Sequence, residues 1–322
     1  MSVLFRLTVA LLTLAFTAAG IAQTWPARPV RVVVPFTAGG ATDVVGRLIS
    51  QKLGETWGQS VVIENRAGAG GNVGAEAVAR SAPDGYTLFF ASGSILTVNP
   101  HLYKKLPFDP VKDFAPIASV ATGPMVVVVH PSVQARNVKE LIALAKAKPG
   151  GLNMGSAGVG SQVHMAGENF ANAAKIDVTH VPYKGEALGY NDLVAGQIQF
   201  MVGNIAPVAP FVAAGKLRAL GVTGAQRSPL MPEVPTVAEA ALPGFLNTGW
   251  FGMFAPAGTP REIVDRVNRE TNKILDTTEM RARLYVMGMA PSPSTPEAFT
   301  KMIADETQRW GRIVAERKLV AN

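Results

Sequence analysis

The chain contains no cysteine. No disulfide can form, and no thiol is available as a nucleophile, a metal ligand or a lipid attachment point, so stability has to come from a packed core. Histidine is nearly as scarce. The four histidines, His101, His130, His164 and His180, show no H-x-x-x-H or similar spacing, and no metal site is expected. Charge is sparse, at 16% of residues, and although the formal balance is +7, no run of five or more basic residues occurs. A nucleic-acid surface needs a concentrated basic patch, so nucleic acid is not an expected partner. Beyond the N-terminus, no segment approaches the roughly 20 apolar residues that a membrane-spanning helix requires.

What is present begins with an apolar N-terminus. Arg6 precedes an almost wholly apolar stretch, Leu7–Ala19, and Gly20-Ile21-Ala22 supplies small residues where a cleavage site wants them. That order of features reads as a secretory signal peptide over residues 1–22, cleaved after Ala22 and excluded from the fold, and the stretch is too short for a membrane anchor. The mature protein is expected in the periplasm. With 322 residues and 48% hydrophobic content, there is material for a sizeable core and about two domains.

Strand and helix patterns alternate along the mature chain. Val30–Pro35, Val61–Glu64, Tyr86–Ala91, Ile117–Ala121, Met125–Val129, Val178–Tyr183, Gln199–Val202, Leu217–Val222 and Trp250–Ala255 read as strands. Thr42–Leu53, Asn72–Arg80, Val138–Lys146, Gln162–Ala174, a helix opened by Lys184-Gly185-Glu186, a short helix around Val237–Ala240, Glu279–Val286 and Pro296 to about Glu316 read as helices, with a further helix after Thr259-Pro260. The alternation implies βαβ units and an α/β fold of two lobes, each a mostly parallel sheet flanked by helices with a cleft between. The helical C-terminus packs back on the first lobe. The lobes are expected to span 23–123 plus 247–322 and 124–246.

Two glycine-rich loops stand out. Phe36-Thr37-Ala38-Gly39-Gly40-Ala41-Thr42-Asp43 follows the first strand, and Gly155-Ser156-Ala157-Gly158-Val159-Gly160-Ser161 follows Leu152-Asn153-Met154. Each opens a helix, and a helix N-terminus offers free N–H groups and partial positive charge to an anion. One in each half of the chain suggests a single ligand held between two lobes. For the first loop, a binding cradle and a plain strand-to-helix turn capped by Thr42 or Asp43 both remain open. Neither loop has the G-x-G-x-x-G or G-x-x-x-x-G-K-[ST] spacing of a nucleotide site, and Gly68–Gly74 is one residue too long for the former. Neither Ser156 nor Ser161 sits in a G-x-S-x-G elbow. The Ser161/His164 pair reads as a capping serine with a buried or loop-bonded histidine rather than a catalytic dyad. Tyr183-Lys184 could offer a hydroxyl or a charge to a ligand, and Asn204 could donate to a carboxylate or simply stabilise a turn.

Together with Trp25-Pro26-Ala27-Arg28-Pro29-Val30, Glu64-Asn65-Arg66-Ala67-Gly68-Ala69-Gly70-Gly71, Pro83-Asp84-Gly85-Tyr86-Thr87-Leu88, Asn99-Pro100-His101-Leu102-Tyr103, Val181-Pro182-Tyr183-Lys184-Gly185 and Ala255-Pro256-Ala257-Gly258-Thr259-Pro260, these loops resemble the Bug (TctC-like) periplasmic solute receptors of tripartite tricarboxylate transporters over essentially the whole mature length. The resemblance implies a two-lobed periplasmic binding protein of the type II-like kind. It has no enzymatic activity and no cofactor, closes on a small carboxylate as a monomer, and docks on the membrane subunits of a transporter. Carried over, the ligand-binding residues are Phe36, Ala38, Gly39, Gly40, Thr42 and Asp43 in the first lobe and Ser156, Ala157, Gly160, Ser161 and Asn204 in the second, with Ser92 as a lining residue. Many such relatives carry an Asp before the Asn of the strand end that here reads Gly203-Asn204. Its loss implies a carboxylate ligand without a free amino group. A ligand-sensing subunit for a signalling receptor and a secreted serine hydrolase are the alternatives.

Overall fold

The structure, a computed structural model, describes residues 25–317 and 319–321. The signal-peptide reading over residues 1–22 lies outside them. The first sheet has the order β2-β1-β3-β9-β4, from β1 (Val30–Val34), β2 (Val61–Asn65), β3 (Thr87–Ser92), β9 (Thr248–Pro256) and β4 (Phe114–Val129), with β10 (Ala290–Pro291) also pairing β4. The second continues β4-β7-β5-β6, from β7 (Phe200–Asn204), β5 (Asn153–Ser156) and β6 (Thr179–Pro182), with β8 (Arg218–Val222) also on β4.

The expectation of mostly parallel sheets needs correction. Only β1–β2, β1–β3, β5–β6 and β5–β7 pair in parallel, whereas β3–β9, β4–β9, β4–β10, β4–β7 and β4–β8 are antiparallel. The cause is the crossover. The two strands expected at Ile117–Ala121 and Met125–Val129 are one continuous strand, β4, which pairs with β9 over Phe114–Pro124 and with β7 over Met125–Val129. β4 carries the chain out of the first sheet, and β9 belongs to the segment that returns, so the two run in opposite directions. The α/β architecture of two lobes is otherwise as expected.

Strand β1, held between β2 and β3, behaves as a strand covered on both faces should. In β1, Val30, Val32, Val33 and Val34 are all buried. Helix α1 (Ala41–Trp57) lays Val45, Leu48, Ile49 and Leu53 onto that sheet, and α10 (Arg261–Asp276) adds Ile263, Val264, Val267, Ile274 and Leu275 to the same core. Val44, one position before Val45, is exposed instead. α1 stops at Gly58, whose left-handed backbone (φ 64°) closes the helix through an N–H bond to the Gly54 carbonyl.

Between these come α2 (Asn72–Ala79), α3 (Ser94–Thr97), α4 (Asn99–Leu102), α5 (Val138–Ala147), α6 (Gln162–Ala174) and α7 (Glu186–Val194), followed by α8 (Ile205–Ala213) and α9 (Val237–Ala240). After α10 come α11 (Thr278–Tyr285) and α12 (Pro296–Arg317). Three helices have no counterpart in the sequence reading. α3 and α4 are single turns in a stretch partly rich in proline, and α8 carries Pro207 and Pro210. Pro207 falls in the first turn, where no intrahelical N–H is lost. No described helix is long and apolar enough to cross a membrane.

Candidate ligand-binding site

The two glycine-rich loops flank one cavity. The first runs from β1 into α1, and the second from β5 into α6. Between their helix starts lies a narrow, partly open cavity, in which about 20 Å³ admits the centre of a water molecule. It is lined by Phe36, Gly40 and Thr42 from the first loop, Ser92 at the end of β3, Ala157, Ser161, Gln162 and Val163 from the second, Glu186 at the start of α7, Asn204 at the end of β7, and Phe251 of β9. The narrow space belongs to a closed arrangement. The Tyr103 hydroxyl donates to the Val159 carbonyl (2.8 Å), and the Gln162 Oε1 accepts from the Trp250 N–H (3.1 Å).

Seven of the twelve residues expected at the site therefore line one cavity: Phe36, Gly40, Thr42, Ser92, Ala157, Ser161 and Asn204. Five do not. Ala38 and Gly39 are exposed at the tip of the first loop.

Asp43 is buried behind it. Its carboxylate accepts from the Gly39 N–H (3.0 Å), Arg47 Nε (2.9 Å) and Asn65 Nδ2 (2.9 Å). Burial pushes that carboxyl up, but the hydrogen bonds from Arg47, Asn65 and Gly39 outweigh it and hold it below its usual range. Asp43 thus shapes the loop from beneath.

Gly160 has φ +79°, and an added Cβ would fall 2.0 Å from Asn99 Oδ1, so only glycine permits that close approach of the second loop to α4.

Ser156 faces the interior and not the cavity. Its Oγ lies 2.6 Å from His180 Nε2 and accepts from the Gly158 N–H (3.0 Å). The His180 ring stacks on His164 at 4.0 Å. Burial, and then the neighbouring His164, push His180 down to about 4. His164 Nδ1 accepts from the Gly160 N–H (3.1 Å), which leaves Nε2 facing Glu168 at 3.5 Å. This serine–histidine contact is closed to substrate, because Ser156 has no exposed surface. Ser161 is the cap of α6, its Oγ accepting from the His164 N–H (3.1 Å). Tyr183 does not reach the cavity either. Its hydroxyl donates to Asp192 (2.7 Å), and burial, then that hydrogen bond, push it up.

Four lining residues escaped the sequence reading: Gln162, Val163, Glu186 and Phe251. Gln162 and Val163 are the first two residues of α6, whose N–H groups have no intrahelical acceptor. Their place directly after Ser161 is the signal that could have found them. Glu186, 5% exposed, matters most. Its Oε1 accepts from the Ala41 N–H at the start of α1 (2.5 Å), and its Oε2 from Asn204 Nδ2 (2.8 Å). Burial raises this carboxyl, and the hydrogen bonds from Ala41 and Asn204 only partly oppose the rise. Nothing in the local sequence announces this, since Ala41 and Glu186 meet only when the halves fold together. The Ser92 hydroxyl and Gln162 Nε2 are buried without a hydrogen-bond partner.

Comparison with known proteins gives one consistent picture. Residues 45–319 match the model of the tripartite tricarboxylate transporter family receptor, TctC. A UPF0065 protein from the tcbD-tcbE intergenic region of Pseudomonas sp. is 39% identical over 97% of this chain and 93% of its own. BugT of Bordetella pertussis is 38% identical over 92% and 91%. Among solved structures, R. palustris Rpa4515 with adipate superposes with a TM-score of 0.89 at 36% identity, covering 92% of this chain and 99% of that one. MatC from Rhodopseudomonas palustris with bound malate gives 0.85 at 35%, covering 90% and 100%. The chain belongs to the TctC (Bug) receptor family, whose members are periplasmic solute-binding proteins and not enzymes.

Proposed function

We propose that this protein captures a small carboxylate in the cavity between its lobes and delivers it to the membrane subunits of a tripartite tricarboxylate-type transporter. The cavity formed where two helix N-termini from separate halves of the chain converge is the observation that carries this reading. Unpaired first-turn N–H groups and the unpartnered Ser92 hydroxyl suit a carboxylate, whose burial is costly unless donors satisfy it. The adipate and malate in the structures of two relatives support the ligand class.

In this reading the lobes are 23–123 plus 247–322 and 124–246, hinged where β4 and the segment leading into β9 cross. The protein works as a periplasmic monomer, exported by cleavage after Ala22. Of the expected binding residues, Phe36, Gly40, Thr42, Ser92, Ala157, Ser161 and Asn204 touch the ligand, and Asp43, Ser156 and Gly160 hold the loops in shape. Ligand favours the closed state only through contacts absent from the open one.

A thermal-shift and calorimetric screen of the mature protein against organic acids tests the proposal. Saturable binding, weakened by Ser92→Ala, supports it. Absence of binding across mono-, di- and tricarboxylates would overturn it. A pull-down that recovered a signalling receptor instead of transporter subunits would redirect the delivery step.

A further inference from the structure

Glu186 places a carboxyl group inside a cavity that is otherwise built for an anion. Its carboxylate is 95% buried, lines the cavity, and is held by the Ala41 N–H and the Asn204 side chain. Its hydrogen-bond partners are Ala41 and Asn204, and among the described residues no Lys, Arg or His forms an ion pair with it. A carboxylate accepts about four hydrogen bonds, so these two donors and a longer contact from the Asn204 N–H (3.4 Å) still leave capacity at this cavity-lining group. A lone buried charge is costly and is relieved by an opposite charge or a proton.

Glu186 also takes the Ala41 N–H, a first-turn donor of α1 that an anionic ligand would otherwise use. A second ligand carboxylate placed there would face a like charge in a water-poor space. The donors left over lie elsewhere: the first-turn N–H groups of Gln162 and Val163, and the Ser92 hydroxyl.

We propose that Glu186 sets the ligand class of this receptor: a small zwitterion, a carboxylate that also carries a protonated amine, with the ammonium on Glu186 and the carboxylate on the donors of α6 and Ser92. This rests on the receptor reading above and narrows it.

It also reverses the expectation drawn from Gly203. In sequence, that glycine implies the loss of an acidic group from the site. The structure shows that a Cβ there would fall 2.1 Å from the hydroxyl of Tyr190, which is fully buried and donates to the Asn204 carbonyl. No side chain fits at 203 with Tyr190 in place, and the acid reaches the cavity from α7 instead.

Matched ligand pairs differing only in the amine test this by isothermal titration calorimetry on the mature protein at neutral pH: aspartate against succinate, glutamate against glutarate, alanine against propionate. At least one amine-bearing member is expected to bind roughly ten- to a hundredfold tighter than its partner, and Glu186→Gln to bring that ratio within about threefold. Equal or tighter binding of the amine-free members overturns the proposal with no variant needed. So does a preference that survives Glu186→Gln unchanged. If acids bind without regard to the amine, only the narrowing fails. If no acid of either kind binds, the receptor reading fails and takes this one with it.

Discussion

Replacing Asp43 by asparagine attacks the first glycine-rich loop from behind. Asp43 is 3% exposed, and its carboxylate collects the Gly39 N–H, Asn65 Nδ2 and Arg47 Nε at 2.9–3.0 Å. An asparagine keeps the shape but turns an NH₂ toward a set of donors. Hydrogen bonds to a charged acceptor contribute about 1.5–3 kcal/mol each. The Arg47 side chain is 51% exposed, so its ion pair adds little beyond its hydrogen bond. One or two contacts to buried donors are lost, and the expected destabilisation is about 2–4 kcal/mol. For a chain of this size that is a fall in melting temperature of roughly 3–6 °C.

The sign with pH follows from the lowered carboxyl. A carboxylate below its unfolded value stabilises the fold above about pH 3.8, and that contribution is lost as pH falls through the folded value. The gap between wild type and Asp43→Asn should therefore be widest at neutral pH and narrow on acidification. Calorimetric melts at pH 7, 4 and 3 check this, because the narrowing falls below about pH 3.8. A variant melting within about 1 °C of wild type at pH 7, or a gap that does not shrink toward acid, would refute the support role given to Asp43.

Glu186 should behave in the opposite sense. Its folded carboxyl is raised, so the folded state holds its proton more tightly than the unfolded chain, and stability declines as pH climbs from about 4.5 toward the raised value. Glu186→Gln is expected to gain melting temperature relative to wild type as pH rises over that range; a constant offset would contradict it. His180, pushed down to about 4, favours the fold when neutral, and up to about 3 kcal/mol is lost as pH drops from 6.5 toward 4. His180→Gln should flatten that slope in acid denaturation curves. Ser156→Ala should cost about 1–2 kcal/mol through the unpaired Gly158 N–H and His180 ring, in urea titrations, while ligand affinity stays within about threefold. Gly160→Ala forces a Cβ into Asn99 at a left-handed backbone position and should weaken ligand binding at least tenfold by keeping the lobes apart, as read by calorimetry.

Much of this molecule is legible one residue at a time. Val30–Val34 and the stripe of Val45, Leu48, Ile49 and Leu53 declare a buried strand and the helix that covers it, because burial follows periodicity. The glycine-rich loops declare two helix starts, and Ser161 caps the second as its type and place suggest. What periodicity hides is direction. Strands Ile117–Ala121 and Met125–Val129 are each plain in sequence, but their fusion into β4, and the antiparallel pairing with β9 that follows, depend on where the chain crosses between sheets. α8 was hidden by Pro207 and Pro210, residues that count against a helix unless the surrounding packing supports one.

The amino-acid order alone determined the family, the alternation of strand and helix, and the two donor-rich loops, because those properties lie within short stretches of chain and are fixed by local backbone chemistry. Only tertiary structure decided which loop residues face the cavity, turning Asp43 and Ser156 into supports. It alone brought Glu186 against Ala41, 145 positions apart along the chain. A side chain's charge is written in the sequence, but its surroundings, and therefore what it can bind, come from segments that meet only after folding.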